Sequence, residues 1–161
     1  MIAADGASAF SGLFADFYAL SMAQGYWKAD AARGGRPRGA IFEYFFRRQP
    51  FGGGYAVFAG LGTLLDALAG FSFSDADVAF LRGMGVFDED FLGFLRGFRF
   101  SGSLHAMDEG SIVFPREPIV RVTGSLVECQ IIEGMLLNAL NFQSMVATKA
   151  RRVVHAARGS A

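Results

Sequence analysis

The sequence predicts an α+β fold, with helices at both ends of a mostly antiparallel β block. Three observations carry this. From Gly124 to Arg152 apolar residues recur at Val127, Ile131, Met135, Ala139, Phe142 and Val146, the three-to-four spacing of one long helix. From Phe100 the period shifts towards two, which reads as short strands separated by turn residues. Near the amino end, Leu13 to Trp27 again has helical spacing, through Phe14, Phe17, Leu20, Met22 and Tyr26.

Composition bounds the rest. The chain has 161 residues, enough for one domain with a sizeable core, and no repeat or interdomain linker breaks it. Formal net charge is zero, so no general attraction to nucleic acid or to an acidic membrane is implied. Hydrophobic residues make up 52% and charged residues 19%, which predicts either a large core or apolar surface meant for a partner. The single cysteine, Cys129, excludes an internal disulfide and suits a reducing compartment. No secretory signal or membrane span is legible.

In chain order, residues 1–12 are small and polar and are expected to be disordered. The helix over 13–27 is interrupted by Asp16 and Tyr18, and residues 29–38, with Gly-Gly and Pro, read as a loop. Residues 39–48 (GAIFEYFFRR) read as a strand, with Glu43 inside it either paired to a local cation or functional. Gly52, Gly53 and Gly54 follow, a triplet that permits positive φ and leaves amides open; it is a turn or an anion cradle. Residues 55–59 read as a strand and 61–68 as a helix. Residues 72–83 predict a helix capped by Ser74, and 88–97 one capped by Asp88. Strands are expected over 100–107, 111–114 and 119–122.

The long helix carries a second, polar line through Gln130, Glu133, Asn141, Ser144 and Thr148, ending on Lys149, Arg151 and Arg152. It is either a set of polar groups satisfied internally or one wall of a ligand site. No spacing around His105 or His155 fits a metal site, no nucleophile elbow is present, and Cys129 beside Glu128 reads as an inert core residue. Spacing alone identifies no catalyst.

Four blocks, in order, give a resemblance: DFYALSMAQGYW at 16–27, IFEYFFRRQPFGGGYAVFAGL at 41–61, EGSIVFPREPIVRVTGSL at 109–126, and the run from Gln130 to Arg152 with LNALNF and ATKA. Together they resemble nicotinate phosphoribosyltransferase, over nearly the whole chain after residue 12. The resemblance implies an amino-terminal α/β-sandwich-like domain of a type II phosphoribosyltransferase over residues 13–161, leading towards a β/α barrel. The family's phosphorylated histidine lies in that barrel, so neither His105 nor His155 corresponds to it, and no catalytic residue is expected in this chain. The implied reaction joins nicotinate and phosphoribosyl diphosphate to form nicotinate mononucleotide, with ATP hydrolysis and Mg²⁺ assisting, in cytoplasmic NAD salvage. ATP and Mg²⁺ belong to the full enzyme, and none is expected on this chain alone.

By the family's Asp-x-Tyr motif, Tyr18 is implied to stack on the nicotinate ring in the barrel of a neighbouring subunit of a homodimer, which suits a phenol's flat apolar face. Arg47, Gly52, Gly53, Gly54, Lys149 and Arg151 are further substrate-binding candidates, for phosphate or interface contacts. The segment from Ile132 to Thr148 also resembles the Glu-Arg-x-x-Leu-Asn helix of quinolinate phosphoribosyltransferases, with Gly134 where their arginine stands. Two alternatives stay open: a non-catalytic fragment or subunit that binds a separate barrel chain or is a remnant, and a nicotinamide-using relative.

Overall fold

The structure is a computed structural model and describes residues 11–158. The expected disorder of residues 1–10 lies outside them. The Ser11 hydroxyl caps a 3-10 turn over Gly12–Phe14, and the Gly12 N–H donates to Ser72 O at 2.8 Å.

The first helix, α1 (Phe17–Ala32), starts four residues later than the periodicity suggests and runs five further. Asp16 is the reason for the late start. Its backbone is extended and its carboxylate accepts from the Ala19 N–H at 2.6 Å, so it opens the helix rather than interrupting it. The far end is held by Asp30, buried and paired with Arg38 at 2.7 Å, before Gly34 and Gly35 turn the chain at positive φ.

The main sheet is antiparallel, with β5 (Val120–Ser125) between β1 (Gly39–Tyr44) and β3 (Ser103–Ala106). Gly39 pairs with Ser125 and Tyr44 with Val120, so Phe42, Tyr44, Val120, Val122 and Leu104 turn inward. Ile41, Glu43, Arg121 and His105 stand on the exposed face. There Glu43 meets its cation: Arg121, its register partner, holds it at 2.6 Å. The strand expected over 39–48 ends at Tyr44 because its neighbour ends; beyond it only Phe46 keeps a ladder-like bond, from the Arg116 N–H.

A second pair, β2 (Ala56–Val57) with β4 (Ile112–Val113), is also antiparallel. Both are shorter than expected, as is β3, whereas β5 runs through to Ser125. Past Val57 the chain stays bonded, but partly to side chains of a helix, described below.

Between these pieces lie α2 (Leu61–Gly70), α3 (Asp75–Gly83) and α4 (Glu89–Arg96). Ser74 caps α3 in a reciprocal box with Asp77. Asp88 occupies the cap position of α4 without capping it; its carboxylate instead pairs with Lys28 on α1. Five phenylalanines cluster here: Phe71, Phe73, Phe91, Phe94 and Phe98 pack largely edge-on with Trp27 beside them.

The last helix, α5 (Leu126–Arg158), has 33 residues and packs against α1, α2, β1, β2 and β5. Its start differs from the expected Gly124 because Gly124 and Ser125 still pair in β5. Ser125 and Glu128 then form a reciprocal cap: the Glu128 N–H donates to Ser125 Oγ at 3.2 Å, and the Ser125 N–H to Glu128 Oε2 at 3.0 Å. Ile131, Ile132, Met135 and Leu140 are buried from this helix. Among the described residues no helix is long and apolar enough to cross a membrane.

Candidate functional site

The polar line of α5 resolves into internal fastening. Ser144 and Thr148 are buried. Ser144 Oγ accepts from the Ala59 N–H at 3.0 Å and donates to Ala59 O at 3.1 Å; Thr148 Oγ1 accepts from the Val57 N–H at 2.8 Å. These hydroxyls replace the strand neighbour that β2 lacks. Gln130 donates to Glu133 at 2.6 Å, and Asn141 accepts from the Tyr44 hydroxyl at 3.0 Å, while burial pushes the Tyr44 phenol pKa up. From Gln130 to Thr148 the line is thus bonded internally, while Lys149, Arg151 and Arg152 at its end stay exposed.

What it fastens is the segment after the glycine triplet. Val57 and Ala59 are pinned to α5, and Gly60 follows at φ 104 where a Cβ would lie 2.7 Å from Ala139 O, so only glycine fits. Glu109 then accepts from the N–H groups of Gly60 and Leu61, serving as the cap that α2 lacks locally.

Upstream of that anchor the loop leans on the exposed end of α5. Phe51 adopts φ 60 and Gly52 φ 61, two successive left-handed residues. The Phe51 ring lies 4.7 Å from Lys149 Nζ and 5.9 Å from the Arg152 guanidinium carbon, and Arg152 donates to Phe51 O at 3.2 Å. Gly53 packs beside Arg152, and Gly54 is exposed. The structure thus brings Lys149 and the glycine loop together. It adds Arg152 and Phe51, which the candidate residues omitted, and shows Arg151 exposed and outside the cation–ring contacts of Phe51 among the described residues. The signal for Arg152 was its i+3 spacing from Lys149, which places both on one side of a helix. Arg47 is exposed at the bend after β1. None of Arg47, Arg48, Lys149, Arg151 and Arg152 is among the ion pairs of the described residues, which engage Lys28, Arg38, Arg82, Arg96 and Arg121.

Tyr18 sits elsewhere. It is in the first turn of α1, 67% exposed, with Leu13, Phe14 and Phe17 exposed nearby in the chain. This turn lies against the middle of α5: a Cβ on Gly134 would be 3.6 Å from the Asp16 carboxylate and backbone nitrogen. A Cβ at Gly134 would thus make ordinary contact, and a longer side chain would extend from beside the α1 cap. Lys149 lies further along α5. At about 1.5 Å per residue, the step from 134 to 149 is roughly 22 Å.

Cys129 is buried; burial, and then the charge of Glu128, push its thiol pKa up, which disfavours a reactive thiolate. Among the described residues no group of three His, Cys, Asp or Glu side chains is placed to hold a metal ion.

Comparison with known proteins agrees with this architecture. Residues 13–141 match the family described as nicotinate phosphoribosyltransferase (NAPRTase) N-terminal domain. Nicotinate phosphoribosyltransferase pncB2 of Mycobacterium tuberculosis is 44% identical over 147 residues, covering 91% of this chain and 31% of that protein. Nicotinate phosphoribosyltransferase of Bacillus subtilis is 48% identical over 141 residues, covering 88% of this chain and 28% of that protein. The crystal structure of human nicotinic acid phosphoribosyltransferase superposes with a TM-score of 0.75 at 40% identity, over 85% of this chain and 27% of that one. A nicotinate-nucleotide pyrophosphorylase from Pyrococcus furiosus shares the fold alone, at 18% identity and a TM-score of 0.52 over 87% of this chain and 27% of that one. The chain spans under a third of the length of these relatives. With its four sequence blocks, its long C-terminal helix and its matched residues in agreement, this chain belongs to the nicotinate phosphoribosyltransferase family, as an N-terminal domain.

Proposed function

We propose that this chain is the amino-terminal part of a cytoplasmic nicotinate phosphoribosyltransferase that works as a homodimer. The enzyme joins nicotinate and phosphoribosyl diphosphate into nicotinate mononucleotide and diphosphate, with ATP hydrolysis assisting. The observation that carries the reading is the separation of two unsatisfied ends. Tyr18 offers an exposed ring at one place, and Lys149 with the glycine loop offers cations and open backbone at another. Roughly 22 Å of α5 separates Gly134, where the Asp16 cap of Tyr18's helix packs, from Lys149. Each end therefore completes a site whose other walls come from elsewhere: a barrel domain of its own or of a neighbouring subunit.

In this division Tyr18 stacks on the nicotinate ring, held in position by the Asp16 cap. Arg47, the triplet Gly52, Gly53 and Gly54, Lys149 and Arg151 supply phosphate or interface contacts. Displacement at an electron-poor anomeric carbon gains most from positioning and charge stabilisation, which suits residues that hold rather than react. Mg²⁺ belongs with the substrate phosphates of the full enzyme, and the roles given to this chain's residues are binding and positioning.

The test is a chimera in which this chain replaces the matching segment of the Bacillus subtilis relative. Formation of nicotinate mononucleotide from nicotinate and phosphoribosyl diphosphate is followed chromatographically. Turnover that falls when Tyr18 is replaced by Ala supports the reading; a folded chimera without turnover overturns it.

A further inference from the structure

We infer that Gln24 is a positioning residue: with Phe17 it fixes how α1 is rotated about its own axis, and so where the exposed ring of Tyr18 points. The consequence for nicotinate rests on the reading that Tyr18 stacks on that substrate, while the geometry stands apart from it. Three consecutive residues of the turn between α3 and α4 are held by one line of α1. The Gln24 side-chain amide donates to Val86 O at 3.3 Å and accepts from the Asp88 N–H at 2.7 Å. The Phe17 ring meets Phe87 edge-on, 5.9 Å between centroids. Lys28 pairs with the Asp88 carboxylate. Phe17, Gln24 and Lys28 follow one another at seven and then four residues, which at about 100° per residue returns them to within about 20° of one line. Tyr18, next to Phe17, stands roughly a quarter turn from that line.

Burial alone sets this rotation weakly. Apolar side chains occur all round α1, from Phe17 and Tyr18 outside to Leu20 and Ala23 within, so the helix has almost no hydrophobic asymmetry. Directional contacts therefore do most to set it. The Lys28–Asp88 pair is half exposed on both sides, and such pairs contribute little. Gln24 instead bonds two backbone groups of the turn from one planar amide, which admits one orientation. The turn is committed to this contact. Asp88 stands at the cap position of α4, yet its carboxylate faces Lys28 and leaves the α4 N–H groups uncapped. A rotation of about 20° moves a side chain at the helix surface, about 6 Å from the axis, by about 2 Å. That exceeds the misplacement of about 1 Å that already impairs catalysis.

The experiment uses Gln24→Met, which keeps the length of the side chain and removes both hydrogen bonds. Fluorine NMR of the dilute 161-residue chain, labelled with fluorotyrosine and assigned through Tyr18→Phe, reads the geometry directly. Gln24→Met is expected to shift the Tyr18 signal and to leave those of Tyr44 and Tyr55, which lie off α1, in place. An unmoved Tyr18 signal, or equal movement of all of them, overturns the inference. In the chimera, Gln24→Met is expected to raise the KM for nicotinate roughly threefold, within the roughly fivefold set by losing the ring, and to leave the KM for phosphoribosyl diphosphate unchanged. Placed on Tyr18→Ala it should add nothing, since it acts through that ring. The same rise with and without Tyr18, or an equal rise for both substrates, overturns the positioning role. The two readings fail separately. A shifted Tyr18 signal with nicotinate KM indifferent to Tyr18→Ala keeps the positioning and removes the nicotinate contact. A nicotinate KM raised by Tyr18→Ala but not by Gln24→Met, with the signal unmoved, does the reverse.

Discussion

Thr148 Oγ1 accepts a hydrogen bond from the Val57 N–H at 2.8 Å while donating to Ser144 O at 2.6 Å, so one buried hydroxyl joins β2 to the helix that packs on it. Replacing it by Val keeps the volume and leaves the Val57 N–H without its partner. Thr148→Val is expected to cost about 1–3 kcal/mol, seen as a lower urea midpoint with unchanged slope. Thr148→Ser should recover most of it. An unchanged midpoint in Thr148→Val would mean that β2 is held by other contacts.

Glu128 gives the fold an acid-sensitive joint. Burial opposes its ionisation, but hydrogen bonds from the Ser125 and Ser101 hydroxyls and N–H groups prevail and hold its carboxyl pKa below the ordinary glutamate value. A depressed folded value means stability that is present above the unfolded pKa and lost as pH falls through the folded one. The difference in urea midpoint between the wild type and Glu128→Gln should therefore be largest near neutrality and shrink on acidification below the glutamate range. A difference independent of pH would show that the carboxylate charge has no part in the joint.

Much of this was legible before the structure, and the misses share a cause. The Ser-x-x-Glu of Ser125 and Glu128 is a readable cap, yet apolar periodicity alone starts the helix at Gly124, inside β5, because it marks Val127 as helical without marking where the strand before it stops. Asp16 reads as an interruption by hydrophobicity and as a cap by chemistry; chemistry prevails. β2 was legible as the strand expected over 55–59, but its early end was not, since the partner after Val57 is a pair of hydroxyls more than eighty residues away. Arg152 was passed over for Arg151 because ending the helix at 152 makes its last turn look like dipole compensation. The helix continues to Arg158, and position around its axis, not distance from its end, decides which cation meets Phe51.

Tyr18 is 67% exposed, and its ring pairs with no other ring or cation among the described residues. In the chimera, Tyr18→Ala should raise the Kd for nicotinate roughly fivefold, the loss of an aromatic contact worth about 1 kcal/mol, and leave phosphoribosyl diphosphate affinity within error. Equal weakening of both substrates would make Tyr18 a structural residue. The 161-residue chain by itself is expected to form no nicotinate mononucleotide, and robust turnover by it would remove the need for a barrel.

The isolated chain is expected to self-associate. The argument rests on which face of α5 is left over. Asn141, Ser144 and Thr148 are taken up by β1 and by β2 with the residues after it, so up to Thr148 much of the water-facing surface of α5 is apolar. Phe142 is 69% exposed, Val153 60% and Val146 53%, with Leu137, Met145 and Val154 also uncovered. Leu13, Phe14, Phe17 and Tyr18 add exposed apolar surface at the start of α1, which packs on the same helix. Scattered apolar residues are ordinary on a protein surface, but several along one helix give a stripe that water disfavours. Each large side chain removed from water contributes on the order of 1.5–3 kcal/mol, enough for a few of them to offset the entropy of association. Sedimentation across a wide concentration range should therefore show species larger than the 17.3 kDa monomer, and paired Phe142→Ser and Val146→Ser substitutions should shift the distribution back towards it. A single 17.3 kDa species at high concentration that binds no hydrophobic dye would show that this stripe needs no partner.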